Sequence, residues 1–145
     1  MALHAKDLMR KKAVVRTDAT VTEVARKMIS MGLPGLPVVN DRMEAIGVVT
    51  EFNILGAIRE GFDLDKTVAA RIMTPEPVTA DANTSCYELI QIMLVNNYTV
   101  IPIVSAGNGK CVGVVSRFSV MDANLSPRYS SISSGRKDED ALIFV

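Results

Sequence analysis

The chain of 145 residues is 48% apolar, enough for a packed core, but only 5% aromatic, so aliphatic side chains must fill that core. Its sixteen basic and sixteen acidic residues cancel, which removes the long-range field that would recruit nucleic acid or an anionic membrane. No apolar run approaches the roughly 20 residues that span a bilayer, and no apolar signal core stands near the start, so a cytoplasmic protein is expected.

In chain order, the cluster Lys6, Arg10, Lys11 and Lys12 is too short a basic block for nucleic acid and reads as a solvated surface. A short extended piece over 13–16 leads to Thr20-Val21-Thr22-Glu23, the S/T-x-x-E form of a capping box. Behind it Val21, Val24, Ala25, Met28 and Ile29 recur at the spacing of one apolar helix stripe. Two β-rich runs follow, 36–39 and 45–49, with the polar stretch 40–44 between them as a hairpin turn. Thr50 then stands where an N-cap should, opening a helix over 51–60. After a linker over 61–69, an extended piece over 77–79 leads to a second capping box, Ser85-Cys86-Tyr87-Glu88. Cys86, Leu89, Ile90, Met93 and Leu94 form the second stripe. A second hairpin joins 101–104 to 111–115 through the turn signal Ser105-Ala106-Gly107-Asn108-Gly109. Ser116 caps a last helix over 117–124. The segment 125–145 reads as loop, with an apolar end, Ala141-Leu142-Ile143-Phe144-Val145, that could pack on a partner subunit.

The chain is therefore two copies of one βαββα unit. Leu8-Met9 returns as Ile72-Met73, Asp18-Ala19 as Asp81-Ala82, Leu36-Pro37-Val38-Val39 as Ile101-Pro102-Ile103-Val104, and Gly47-Val48-Val49-Thr50 as Gly113-Val114-Val115-Ser116. The offset grows from 64 (8 to 72) through 65 (37 to 102) to 66 (47 to 113), a drift that small loop differences explain. A single unit of about 60 residues buries too little surface to stand alone. The two copies, over 6–60 and 70–124, are expected to pack face to face as one α/β (α+β) body with pseudo-twofold symmetry. Pro37 and Pro102 should each sit where the strand lacks a ladder partner for the missing N–H.

The order helix, L-P-V-V run, hairpin, G-V-V-[ST] run, helix resembles the cystathionine-β-synthase (CBS) domain, and its duplication resembles the CBS pair, or Bateman module. That resemblance covers most of the chain. It implies a regulatory module, not an enzyme, with two clefts that bind an adenine nucleotide or adenosyl ligand such as AMP, ADP, ATP or S-adenosylmethionine. It also implies a homodimer associating through its helices and an effector protein that the sequence does not name. The ligand would meet three segments of a repeat. One opens the repeat, at Met9-Arg10 and Met73-Thr74. Another precedes the proline, at Leu33-Pro34-Gly35-Leu36 and Tyr98-Thr99-Val100-Ile101. The third is the S/T-x-x-D motif of the last helix, whose hydroxyl and helix start suit phosphate and whose Asp accepts from the ribose hydroxyls.

This chain departs from the family at that Asp. It reads Thr50-Glu51-Phe52-Asn53 and Ser116-Arg117-Phe118-Ser119, so the charge-assisted acceptor is replaced by a weaker neutral one. Arg117, with a planar fork that matches phosphate, makes the cleft of repeat two the expected site for a phosphorylated ligand. There the base would lie near Tyr98 and Val100, and the phosphate at Ser116 and Arg117. The alternative is a ligand-free structural or oligomerisation module. An enzyme is not expected: the chain has no Gly-rich phosphate loop, nucleophile elbow or metal cluster. With one histidine, His4, and two cysteines, it has neither a disulfide framework nor a zinc site. Cys86 and Cys111 fall at apolar positions and should be buried and inert, which argues against redox control.

Overall fold

Local chemistry repeats before tertiary structure does. The computed structural model describes residues 2–133, with side chains to 125. It runs α1 (Ala5–Leu8), β1 (Arg10–Lys11), β2 (Val15–Arg16), α2 (Val21–Met31), β3 (Gly35–Val39), β4 (Ala45–Thr50) and α3 (Glu51–Arg59). The same series returns as α4 (Ala69–Ile72), β5 (Thr74–Pro75), β6 (Ala80–Asp81), α5 (Cys86–Asn96), β7 (Val100–Val104), β8 (Cys111–Ser116) and α6 (Arg117–Ser133). Both capping boxes form. Glu23 N donates to Thr20 Oγ1 at 3.1 Å and Thr20 N to Glu23 Oε1 at 2.8 Å. Ser85 and Glu88 repeat the exchange at 3.1 and 3.4 Å. At the other end α2 and α5 stop on left-handed residues, Gly32 (φ 67°) and Asn97 (φ 57°), the two residue types that reach that region at least cost.

The strands form two four-stranded sheets, ordered β2-β3-β4-β5 and β1-β8-β7-β6. Their registers are copies. Pro37 lies opposite Val48 and Gly47 opposite Val38, as Pro102 lies opposite Val114 and Gly113 opposite Ile103. Both hairpins carry a bulge at the same step, Val38/Val39 and Ile103/Val104. The parallel neighbours reach β3 only from Val38 and β7 only from Ile103, so on that side no strand faces either proline, as the missing N–H requires.

The sheets exchange their edges. β5, which opens the second copy, pairs with β4 of the first, and β1, which opens the first, pairs with β8 of the second. The helix starts are exchanged too: Val21 N donates to Thr67 O and Cys86 N to Leu3 O, both at 2.8 Å. Inside, Val100 and Val114 of the second copy join the core cluster built on Leu36, Val38 and Val49 of the first. A second cluster forms around Leu89, Ile101, Ile103 and Val115. The expected α+β body of two packed βαββα repeats with pseudo-twofold symmetry is what forms.

Four local expectations are corrected. The extended piece placed at 77–79 is β6, three residues later. Its place is set by pairing of Ala80 with Ile103 and Asp81 with Val104, whereas Pro77 brings no ladder donor. That register matches Asp81 to Arg16, which pairs with Val39. The Asp18/Asp81 correspondence is therefore a coincidence of composition. Ile29 and Leu94, counted in the apolar stripes, are 81% and 72% exposed, because they sit at the outer edge of each stripe, away from the sheets. The helix expected over 117–124 runs on to Ser133. Once a helix is nucleated each further residue adds a hydrogen bond without a new nucleation cost. The apolar end 141–145 lies outside the described residues. The turns α1 and α4 were not anticipated at all, being too short to show a period.

Candidate functional site

Exchange of the sheet edges decides which residues meet. The opening stretch of the second copy lies across the helix start of the first, not of its own. Asn53 Nδ2, in the first turn of α3, donates to Thr74 Oγ1 at 3.3 Å. Thr50 and Thr74 then line a cavity of about 450 Å³ together with Phe52, the segment 75–78, Asn97, Tyr98, Thr99 and Val100. A second, larger cavity of about 680 Å³ takes in Leu33, Pro34, Thr99, Ser116, Arg117 and Phe118, and widens into an apolar groove between α2 and α3 at Ala25, Met28 and Ile54. Glu51 and Arg117 both line it.

The expected ligand residues therefore divide between the two cavities. Tyr98 and Val100 stand with Thr50 and Thr74 in the first, while Ser116 and Arg117 stand in the second with Leu33 and Pro34. Thr99 alone of the expected set lines both. Tyr98, Val100, Ser116 and Arg117 do not share one cavity: the first two line the first and the last two line the second. Leu36 and Ile101 are fully buried in the two core clusters and offer no side chain to a ligand. Met73 and Met9 pack against those same clusters. Gly35 is buried where a Cβ would meet Thr50 Cγ2 at 3.1 Å and Val100 Cγ2 at 3.2 Å, so glycine lets the two copies approach. Arg10 lies on β1, and its Nη1 donates to Met31 O at 2.9 Å.

Polar groups at the helix starts are largely occupied. Asn53 Oδ1 accepts from Thr50 N at 2.8 Å and from Thr50 Oγ1 at 3.0 Å, which fills both of its lone pairs. Asn53 thus acts first as a cap and keeps one amide hydrogen for a ligand. Ser116 Oγ accepts from Ser119 N at 3.2 Å and pairs with Ser119 Oγ at 3.1 Å, the same capping role with a hydroxyl. Arg117 does not point its fork at open space. Its Nε donates to Tyr98 O at 2.7 Å and its Nη2 to Asn97 Oδ1 at 2.8 Å, so it braces the loop that walls the first cavity.

Sequence reasoning missed Glu76, Pro77, Val78 and Asn97 as lining residues. No local signal marks the first three, which become wall only because β5 crosses to β4. Phe52 and Phe118 did carry a signal: a large apolar residue, 81% and 73% exposed, stands at the same place in each helix start. Cys111 is buried and its Sγ lies 3.6 Å from Gly113 O. Burial pushes its thiol up, which suits packing and not reactivity. Cys86 is half-buried against the second core. Among the described residues no group of three His, Cys, Asp or Glu could hold a metal ion, and no helix is long and apolar enough to cross a membrane.

Comparison with known proteins agrees with this architecture. The family model of the CBS domain matches residues 5–60 and 68–126. An uncharacterized protein of Methanopyrus kandleri is 28% identical over 103 residues, 70% of this chain and 52% of its own length. The chloroplastic CBS domain-containing protein CBSX1 of Arabidopsis thaliana is 23% identical over 144 residues, 81% of this chain and 61% of its own. The chain spans a third to three fifths of the length of the first three curated relatives that it matches. Among solved structures, CBSX2 in complex with AMP superposes with a TM-score of 0.71 at 24% identity, over 86% of this chain and 98% of the other. The CBS domain pair of protein MJ0100 in complex with 5′-methylthioadenosine and S-adenosyl-L-methionine superposes with a TM-score of 0.75 at 20% identity, over 88% and 99%.

Proposed function

Because the chain belongs to the CBS domain family, with one domain in each half, we propose that it is a regulatory module. It takes an adenosyl ligand in the clefts between its repeats and passes that occupancy to a partner protein. The observation that carries this reading is the first cavity. It joins a purine-sized space with apolar and aromatic walls (Phe52, Val78, Tyr98, Val100) to the polar groups of Thr50 and Thr74, the usual make-up of a small-molecule pocket. Two solved structures of the same fold contain AMP, or 5′-methylthioadenosine with S-adenosylmethionine. The family match over both repeats supports a regulatory role. One relative named as an enzyme, homoserine O-acetyltransferase of Methanosalsum zhilinae, matches this chain over only 21% of its own length.

The module acts as a homodimer in this reading. Phe52, Leu55 and Ile58 of α3 and Phe118 and Met121 of α6 are each more than half exposed, an apolar helix face of the kind that marks an interface. A competing reading, a structural module without ligand, draws on Asn53, whose Oδ1 is spent on capping, and on Ser119, whose hydroxyl is paired with that of Ser116. A thermal-shift panel of AMP, ADP, ATP, S-adenosylmethionine and 5′-methylthioadenosine separates the two. A ligand that binds only the folded state adds about 2.7 kcal/mol at one hundred times its Kd. A rise of several degrees with at least one compound is expected. An unmoved melting temperature with all five at millimolar concentration rejects the sensor in favour of the structural module.

A further inference from the structure

The two copies supply an internal control on charge, since equivalent backbone positions carry different side chains. Thr74 and Pro75 pair with Val48 and Gly47 as Arg10 and Lys11 pair with Val114 and Gly113. The next residues, Glu76 and Lys12, are also equivalent. Both are left-handed, at φ 54° and 63°, and they donate to Ile46 O at 3.1 Å and Val112 O at 3.2 Å. Glu51 and Arg117 open the two helices and donate to Pro34 O and Thr99 O, both at 3.1 Å. At the first three of these positions the residue lining the first cavity is neutral or acidic and its counterpart is basic, Pro75 and Lys11 included, whereas Glu51 and Arg117 both line the second cavity.

No Lys or Arg lines the first cavity, and its single charged lining residue is Glu76. Arg117, whose fork meets the loop at 97–98, lines the other cavity and is spent on Tyr98 O and Asn97 Oδ1. A phosphate entering the first cavity would lose water, gain no counter-ion and meet a carboxylate, all unfavourable. A purine loses nothing there. Nor does a ribose, which finds the hydroxyl of Thr74 in the cavity wall. A non-glycine residue held at positive φ is sparsely populated backbone, so Glu76 is placed in the cavity wall by a conformation that local preference does not favour.

We infer that the first cavity takes an adenosyl ligand without phosphate, neutral or cationic at its 5′ position, and that Glu76 is the residue that rejects nucleotides. This rests on the adenosyl reading above and deepens it. Lys12 shows that this backbone conformation accepts lysine, so Glu76→Lys is a reversal of charge that the fold already tolerates elsewhere.

Backbone amide titrations by NMR on the full chain localise binding. Amides of Thr74 and Tyr98 report the first cavity; those of Leu33 and Ser116 report the other. The wild-type chain should show 5′-methylthioadenosine at Thr74 and Tyr98, with AMP at least about tenfold weaker at those same amides. Glu76→Lys should raise AMP affinity there about tenfold, leave 5′-methylthioadenosine within about twofold, and lose the gain as salt rises from about 50 to about 500 mM. Glu76→Gln should give an intermediate gain of about threefold. Equal affinity for AMP and 5′-methylthioadenosine in the wild-type chain overturns the inference and leaves the adenosyl reading standing. So does an AMP affinity that Glu76→Lys leaves unchanged. If neither compound moves any amide of either cavity, the adenosyl reading fails and this one with it.

Discussion

Gly47 and Gly113 hold the same place in the two copies, yet alanine should cost very different amounts at them. At Gly113 a Cβ would land far inside the van der Waals contact distance of Arg10 O, with Arg10 C at 3.1 Å and Lys11 Cα at 3.3 Å. All three are main-chain atoms of β1, and main chain cannot rotate aside. That strand is two residues long and is held in its sheet by pairing with Val114 and Gly113, so it must lift off. Losing about two backbone hydrogen bonds at roughly 1 kcal/mol each, with overpacking of about 1–3 kcal/mol where the strand resists, outweighs the roughly 0.4–1 kcal/mol that Gly→Ala returns through the unfolded state. A net loss of about 2 kcal/mol is expected for Gly113→Ala. At Gly47 the first obstacles are Sδ and Cγ of Met73, the flexible part of a thioether side chain, and the nearest main-chain atom is Thr74 O at 3.0 Å. Met73 can turn and Thr74 need move only a few tenths of an ångström, so Gly47→Ala should cost under about 1 kcal/mol. Urea unfolding of both variants measures the difference. Amide exchange locates it, since Lys12 N, bonded to Val112 O at 3.2 Å, should lose protection only in Gly113→Ala. Equal losses of stability, or a Lys12 amide that stays protected in Gly113→Ala, would refute the reasoning that a main-chain obstacle and a side-chain obstacle differ.

Two more expectations follow from burial. Sedimentation equilibrium at micromolar concentration should show a species of twice the 15.7 kDa chain mass, and Phe118→Glu together with Leu55→Glu should return it to one chain. A wild-type protein that stays at 15.7 kDa disproves the dimer. The raised thiol of Cys111 sets a pH dependence. Folding favours the protonated form, so this contribution is fully present below the free thiol's 9.0 and is lost as pH rises from there through the folded value. The urea midpoint should fall more steeply between pH 8 and 10 in the wild-type chain than in Cys111→Ala; equal slopes would show that the thiol is not the cause.

What lay in the sequence alone was whatever physics acts over a few residues. Thr20 with Glu23 and Ser85 with Glu88 declare their helices because a capping box closes within three residues. The β-rich runs around Asn40 and Gly107 declare hairpins because a turn needs only its own residues. Duplication of those signals at matched spacing was enough for the fold, the repeat and the family resemblance. The composition of each cleft was not legible, because it depends on pairing between residues far apart in sequence. Arg10 lies beside Val114 and Thr74 beside Val48, and nothing local to either two-residue strand says which sheet it joins. That pairing follows from burial: each hairpin exposes an edge that the other copy's opening stretch covers, and covering both edges at once is possible only when the copies face each other. Thus the sequence determined that Thr50 and Ser116 hold the same place in a repeated unit. Only the tertiary structure decided that Thr50 shares its cavity with Thr74, Glu76 and Tyr98 while Ser116 shares another with Leu33 and Pro34.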